Sequence, residues 1–180
     1  MQDFQPIATE RLLIRKLERR DEEAFFAYHS LPEVCRHQTF RPSGGADVHA
    51  FFGRLSKRPD VPGTWFQLAV CLQNEDRLIG DIGLHFLEDG EQAEIGYTLA
   101  PHAQGNGYAL EAVRAVMGYL FGSLRKHRVV ASVDPENVRS VRLLGRLGMR
   151  REAHFVKGLR IDGAWADECV YAMLREDWQP

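Results

Sequence analysis

Between Arg11 and Leu17, Leu13, Arg15 and Leu17 fall on one side of an extended chain, and Leu12, Ile14 and Lys16 fall on the other. That period of two predicts a first strand. Asp21 then reads as the N-cap of a helix with an acidic first turn that carries Phe25, Phe26 and Tyr28, interrupted at Leu31-Pro32. Arg41-Pro42-Ser43-Gly44-Gly45 is a loop, and Asp47 to about Lys57 reads as a second helix. Trp65 to Leu72, Arg77 to Phe86 and Ala93 to Leu99, separated by polar turns, predict an antiparallel meander. Tyr108 to about Leu124 repeats apolar residues at helical spacing and needs a sheet to pack on. Val129 to Val133 reads as a short strand ended by Asp134-Pro135. Asn137 opens a helix with Val141, Leu144 and Leu147 as its buried stripe and Gly148 as its stop. Arg151 to Arg160 and Trp165 to Leu174 form a hairpin about an Ile161-Asp162-Gly163-Ala164 turn.

This order of elements is that of an α/β chain. At 180 residues, with 44% apolar and 27% charged positions and no internal repeat or linker, residues 1–180 are expected to form one domain with its own core. Lys and Arg number 23 against 25 Asp and Glu, a net charge of −2, so no overall basic field is available to hold a nucleic-acid backbone, and no direct nucleic-acid partner is expected. Cys35, Cys71 and Cys169 are far apart and odd in number, which argues against a disulfide framework and for a reducing cytoplasm. The first residues carry no basic and apolar leader, and no apolar run approaches the roughly 18 residues of a membrane span, so a soluble, unprocessed protein is expected.

The chemistry concentrates between Glu94 and Ala112. There a strand runs through Pro101-His102-Ala103-Gln104-Gly105-Asn106-Gly107 into a long helix starting at Tyr108. Such a loop aims several backbone N–H groups and the positive end of a helix dipole at one place, an anion site in the making. A Walker loop is excluded because no Lys-Ser or Lys-Thr occurs, and a dinucleotide fingerprint fails where Leu110 stands in place of its third glycine.

The pattern Gln104-x-x-Gly107-x-Ala109, after a Glu94-Ile95-Gly96-Tyr97 strand and before Glu111-Ala112, resembles the acetyl-CoA signature of the GNAT N-acetyltransferases. Val133-Asp134-Pro135-Glu136-Asn137-x-x-Ser140, then Leu144-x-x-Leu147-Gly148-Met149, is similar to the family's second coenzyme A segment. Thr9-Glu10-Arg11-Leu12-Leu13-Ile14-Arg15 and Ile161-Asp162-Gly163-x-Trp165-x-Asp167 resemble the branch of ribosomal-protein N-terminal acetyltransferases, so almost the whole chain is covered. The resemblance implies a GNAT fold, a central mixed twisted sheet of about seven strands flanked by about four helices. It also implies an acetyl-CoA-dependent enzyme that moves an acetyl group to a primary amine by direct attack in a ternary complex. A non-catalytic acyl-CoA sensor is the alternative.

The resemblance also assigns roles. Gln104, Gly105, Asn106, Gly107, Tyr108 and Ala109 would hold the pyrophosphate, Asn137 the pantetheine arm, and the backbone N–H groups of Thr98 and Leu99 would polarise the thioester carbonyl. Many members protonate the leaving thiol with a Tyr at the position filled here by Leu144, and in the ribosomal-protein branch a Ser stands in, so Ser140 is the candidate. An alkylammonium has a pKa of about 10.4, so a base must relieve the acceptor amine of a proton near neutral pH. Glu94 is the first candidate and His85, on the neighbouring strand, the second, either acting through a water. Arg139, Arg142, Arg146 and Arg150 read as a solvated stripe with at most one member reaching a phosphate. Phe25, Phe26, Phe51 and Phe52 read as core, on helices that wall the acceptor pocket in relatives. No histidine spacing suits a metal. The acceptor is a protein N-terminus or a small-molecule amine, and a homodimer through the C-terminal hairpin or a sheet edge is anticipated.

Overall fold

The computed structural model describes residues 3–161 and 163–179. Its elements run β1 (Ile7–Ala8), β2 (Leu12–Lys16), α1 (Glu22–His29), α2 (Pro32–Cys35), α3 (Gly45–Arg54), β3 (Thr64–Leu72), β4 (Arg77–Phe86), β5 (Gln92–Leu99), α4 (Tyr108–Gly118), β6 (Arg128–Val133), α5 (Val138–Arg146), β7 (Arg150–Ile161) and β8 (Ala164–Leu174). The strands form one sheet in the order β1-β2-β3-β4-β5-β6-β8-β7, with β5 and β6 parallel and all other neighbours antiparallel.

Both faces of this sheet are covered, so successive residues of a strand alternate between two cores instead of between core and water. Phe66, Leu68, Ile82, Leu84 and Ile95 meet α4 and α5 on one face. Leu17, Ala69 and Cys71 meet Phe25 of α1 and Val48 and Phe52 of α3 on the other. Burial pushes the Cys71 thiol up to about 12, so it packs as an apolar group.

Among the described residues there are eight strands and five α-helices, against the seven and four anticipated. The extra strand, β1, is two residues long and pairs Ile7 with Ile14 and Ala8 with Leu13, too short to leave a periodic pattern. The extra helix arises because Pro32 does more than interrupt α1. Its fixed φ suits a first helical position, and it starts α2. The long helix keeps its α form only to Gly118, and Tyr119–Ser123 widen into a π turn.

Asp21 precedes α1 but does not cap it with its side chain. The carboxylate is drawn instead to Arg15, itself 7% exposed, which donates from Nη1 and Nη2 to Asp21 at 2.7 and 2.8 Å and from Nε to Asp76 at 2.7 Å. A buried guanidinium outcompetes a helix N–H for a carboxylate. Gly148, at φ +85°, stops α5 as anticipated. Asp162 of the anticipated hairpin turn lies outside the described residues, while Gly163 beside it has φ +83°. Among the described residues no helix is long and apolar enough to cross a membrane.

Candidate active site

The one parallel pairing makes the site. β5 and β6 are registered only at Gln92 with Arg128, Ala93 with Val129 and Glu94 with Val130. Beyond that point β5 stays with β4 as far as Leu99 opposite Gly80, and β6 stays with β8 as far as Val133 opposite Cys169. The two strands therefore diverge and leave a wedge in the middle of the sheet. A cavity of about 490 Å³ fills the wedge and spreads over the face that carries α1. Its walls include Glu94 to Thr98 of β5, Ala131 to Val133 of β6, and Asn137, Ser140 and Leu144 along one side of α5 and its cap.

Backbone groups along a strand point alternately to its two neighbours. The Ala100 N–H donates to Ile79 O and the Leu87 N–H to Gln92 O, so the even-numbered residues of β5 face β4. The amides of Ile95, Tyr97 and Leu99 consequently face the wedge, past the last pairing with β6. This supports Leu99 as an amide donor and corrects Thr98, whose amide lies on the β4 side. What Thr98 offers the cavity is its side chain, with Oγ1 accepting from Gln38 Nε2 at 3.2 Å.

At the far end of β5 the chain turns into the anion loop. Gly105 and Gly107 have φ of +82° and +80°, a backbone shape that suits glycine and turns exposed N–H groups outward at the start of α4. Asn106 Nδ2 donates back to Ala103 O and Gln104 O, at 3.3 and 3.2 Å. Gln104 braces the loop: Nε2 donates to Leu99 O at 2.9 Å and Oε1 accepts from Arg139 Nη1 at 2.5 Å. Its side chain is thus committed to the protein, and its own N–H donates to Pro101 O. Arg139 is the member of the exposed arginine stripe that reaches the loop. Tyr108 lies under the Arg11 guanidinium, 4.6 Å from the ring centre, and Ala109 occupies the first turn of α4 beside it.

A second brace comes from the N-terminal motif. Glu111, in the first turn of α4, accepts from Thr9 Oγ1 at 2.5 Å, from the Arg11 N–H at 3.0 Å and from Arg11 Nε at 2.7 Å, while Arg11 Nη1 donates to Asn106 O at 2.9 Å. Burial opposes the Glu111 charge, but the bonds from Thr9 and Arg11 outweigh it and hold the carboxyl below its ordinary value. A carboxyl lowered on folding stabilises the fold above its unfolded pKa of about 4.3, and that contribution is lost as pH falls through the folded value. Glu111→Gln is accordingly expected to lower the melting temperature at pH 7 by roughly 3 °C, about 1 kcal/mol. The gap to the parent protein should close as the pH is taken below 4. A constant gap from pH 7 to pH 3 in melting curves would refute the assignment.

Glu94 stands at the apex of the wedge, half-buried, as the register partner of both His85 and Val130. His85 lies one strand further out, its ring stacked on Trp65 at 4.8 Å between centroids and its Nδ1 3.8 Å from Glu94 Oε2. Glu94, not His85, forms the cavity wall. Asn137 caps α5, its Oδ1 accepting from the Ser140 N–H at 3.2 Å.

Two site features escaped the sequence reading. Tyr97 projects from β5 toward α5, where its O–H donates to Ser140 O at 3.4 Å, and burial pushes the phenol up to about 12. It brings a phenol to Ser140, about one turn ahead of Leu144, which lacks one. Asp81 and His29, buried at 3% and 4% exposure, meet at 2.8 Å and line the cavity. A charge inside the apolar run Leu78-Ile79-Gly80-Asp81-Ile82 was the available signal. Phe25 and Phe51, expected as core on helices that wall the pocket in relatives, stack at 5.4 Å and are cavity wall as well as packing.

Residues 11–150 match the family model described as an acetyltransferase (GNAT) domain, and the chain belongs to that family. That membership makes it an N-acetyltransferase. The chain is 36% identical over 172 residues to the uncharacterized N-acetyltransferase YnaD of Bacillus subtilis (strain 168), covering 96% of this chain and 98% of that one. It is 29% identical to the [ribosomal protein uS5]-alanine N-acetyltransferase of Escherichia coli (strain K12), over 97% of this chain and 93% of the relative. A crystal structure of an acetyltransferase (GNAT family) from Bacillus anthracis superposes with a TM-score of 0.86 at 34% identity, covering 96% of this chain and 99% of the other.

Proposed function

We propose that this chain, acting as a single catalytic domain, transfers the acetyl group of acetyl-CoA to a primary amine by direct attack within a ternary complex. The observation that carries the reading is the parting of β5 from β6 after Glu94 and Val130, with an anion loop at the far end of β5. The pyrophosphate sits on the N–H groups at Gly105 to Ala109, the pantetheine arm runs along the wedge past Asn137, and the thioester lies toward Glu94. An amide from β5 polarises the carbonyl. Glu94 takes a proton from the ammonium through a water, the nitrogen forms its bond to the carbonyl carbon, and the C–S bond breaks with the electron pair going to sulfur. As the tetrahedral adduct collapses, the nitrogen gives up its second proton, which reaches the thiolate sulfur by way of the Ser140 or Tyr97 hydroxyl and leaves the neutral amide and the coenzyme A thiol. Three free cysteines, two of them buried, suit a reducing cytoplasm.

The test is thiol release from acetyl-CoA against a panel of amines and N-terminal peptides, beside calorimetric titration of acetyl-CoA. Binding with amine-dependent release supports the transferase. Binding without release for any amine favours the acyl-CoA sensor, and absence of binding removes the basis of both.

Tyr97→Phe and Ser140→Ala are each expected to lower kcat about tenfold while KM for acetyl-CoA stays within about threefold. A phenol at about 12 stays protonated at neutral pH and so keeps an O–H to donate. Steady-state kinetics showing neither variant altered would exclude both donors.

A further inference from the structure

Away from the wedge, the cavity extends across the face beneath α1 to a recess that the transfer chemistry does not use. Its floor is Asp81. Oδ1 accepts from Tyr28 O–H at 2.6 Å and from His29 Nε2 at 2.8 Å, and Oδ2 accepts from Gln67 Nε2. His29 lines the cavity, yet its Nδ1 is buried with no hydrogen-bond partner among the described residues. The ring thus gives one nitrogen to Asp81 and leaves the other without a partner beside the cavity. Among the described residues the Asp81 carboxyl group meets a hydroxyl, an imidazole and an amide and no lysine or arginine, which leaves the recess suited to an added cation.

The surroundings agree on the sign. Five carboxylates line the cavity, Asp81, Glu94, Asp134, Asp167 and Glu168, and among the described lining residues there is no lysine or arginine. Phe25, Phe40 and Phe51 wall the recess, with Phe40 4.6 Å from Phe51 and 6.0 Å from His29 between ring centroids. Aromatic faces beside a carboxylate are a setting for an organic ammonium. Asp81 is registered with Thr98, four residues along β5 from Glu94, which puts the two carboxylates' positions roughly 13 Å apart along the strand.

We propose that the preferred acceptor is an aliphatic compound with two ammonium groups, one reacting beside Glu94 and the other held, still charged, at Asp81 between the phenylalanine rings. This rests on the reading of the Glu94 end as the place of transfer. A short diamine cannot reach both ends, so preference should grow with chain length until the two nitrogens span the recess.

The experiment compares linear monoamines with diamines of matched length. It records kcat/KM by thiol release and, separately, amine binding by calorimetry in the presence of coenzyme A. Long diamines are expected to exceed monoamines by at least about tenfold in kcat/KM, with an advantage that shrinks as salt is added. Asp81→Asn is expected to cut that preference about tenfold, and the unmodified protein's length series stands even if the variant does not fold. Equal kcat/KM for the two series overturns the proposal and leaves the transferase intact. Absence of thiol release with every amine overturns the transferase reading instead, and tighter calorimetric binding of long diamines would then still support the recess.

Discussion

Glu94→Gln is expected to reduce kcat/KM by about 10²–10³-fold at pH 7, the range for removing a positioned base. Glutamine keeps the size of the side chain and its place at the apex of the wedge, where Glu94 pairs with both His85 and Val130, but it cannot take a proton. The amine must then reach the thioester already neutral. With an ammonium pKa of about 10.4, only about one molecule in 2,500 is neutral at pH 7. The variant should therefore gain activity about tenfold per pH unit through pH 9, whereas the parent enzyme levels off earlier. This profile separates a lost base from a disturbed fold, which would not be repaired by alkali. Initial rates across pH 6–9 that stay within twofold of the parent would shift the role to a water chain or to His85, 3.8 Å behind.

The largest stability effect is expected from Asp21→Ala. Arg15 is 7% exposed, and its guanidinium is held charged first by its paired bonds to Asp21 and then, against burial, by Asp76. Removing Asp21 leaves a buried cation with one carboxylate, itself more exposed at 37% of its side chain. Breaking a buried pair on one side costs about 3–5 kcal/mol, and the surviving Asp76 bond places this case near 3, or roughly 9 °C in melting temperature for a chain of this size. Replacing both members by apolar residues, Arg15→Met with Asp21→Leu, should recover much of that loss, since no unpaired charge remains inside. Denaturant curves in which Asp21→Ala costs less than about 1 kcal/mol would show that water reaches Arg15. The pair also ties β2 to the start of α1, the helix that brings Phe25 and His29 to the cavity and Tyr28 to Asp81 beneath it.

Much of the fold was legible because it is written locally. Gln92–Leu99 and Arg77–Phe86 match the anticipated strands within a residue, since polar turns bracket them. Gly148 and Asn137 act as helix stop and helix cap because each answers to the backbone of its own neighbours. The anion loop is legible for the same reason. Asp21 misled because a local rule, the N-cap, competed with a partner six residues back that burial had made the stronger claimant. Thr98 misled by one position, and in a strand one position reverses which neighbour an amide faces.

The linear chain by itself determined the family, the order of strands and helices apart from β1 and α2, the glycine loop at Gly105 to Ala109 and the presence of an acid on the strand before it, because each is carried by short motifs of about twenty residues or fewer. Only the tertiary structure decided where β5 leaves β6, which amides that exposes, and that Tyr28, His29, Gln67 and Asp81 converge beneath one cavity. Those contacts join residues up to 53 positions apart, and they exist because packing on both faces of one sheet leaves polar groups no partners except each other.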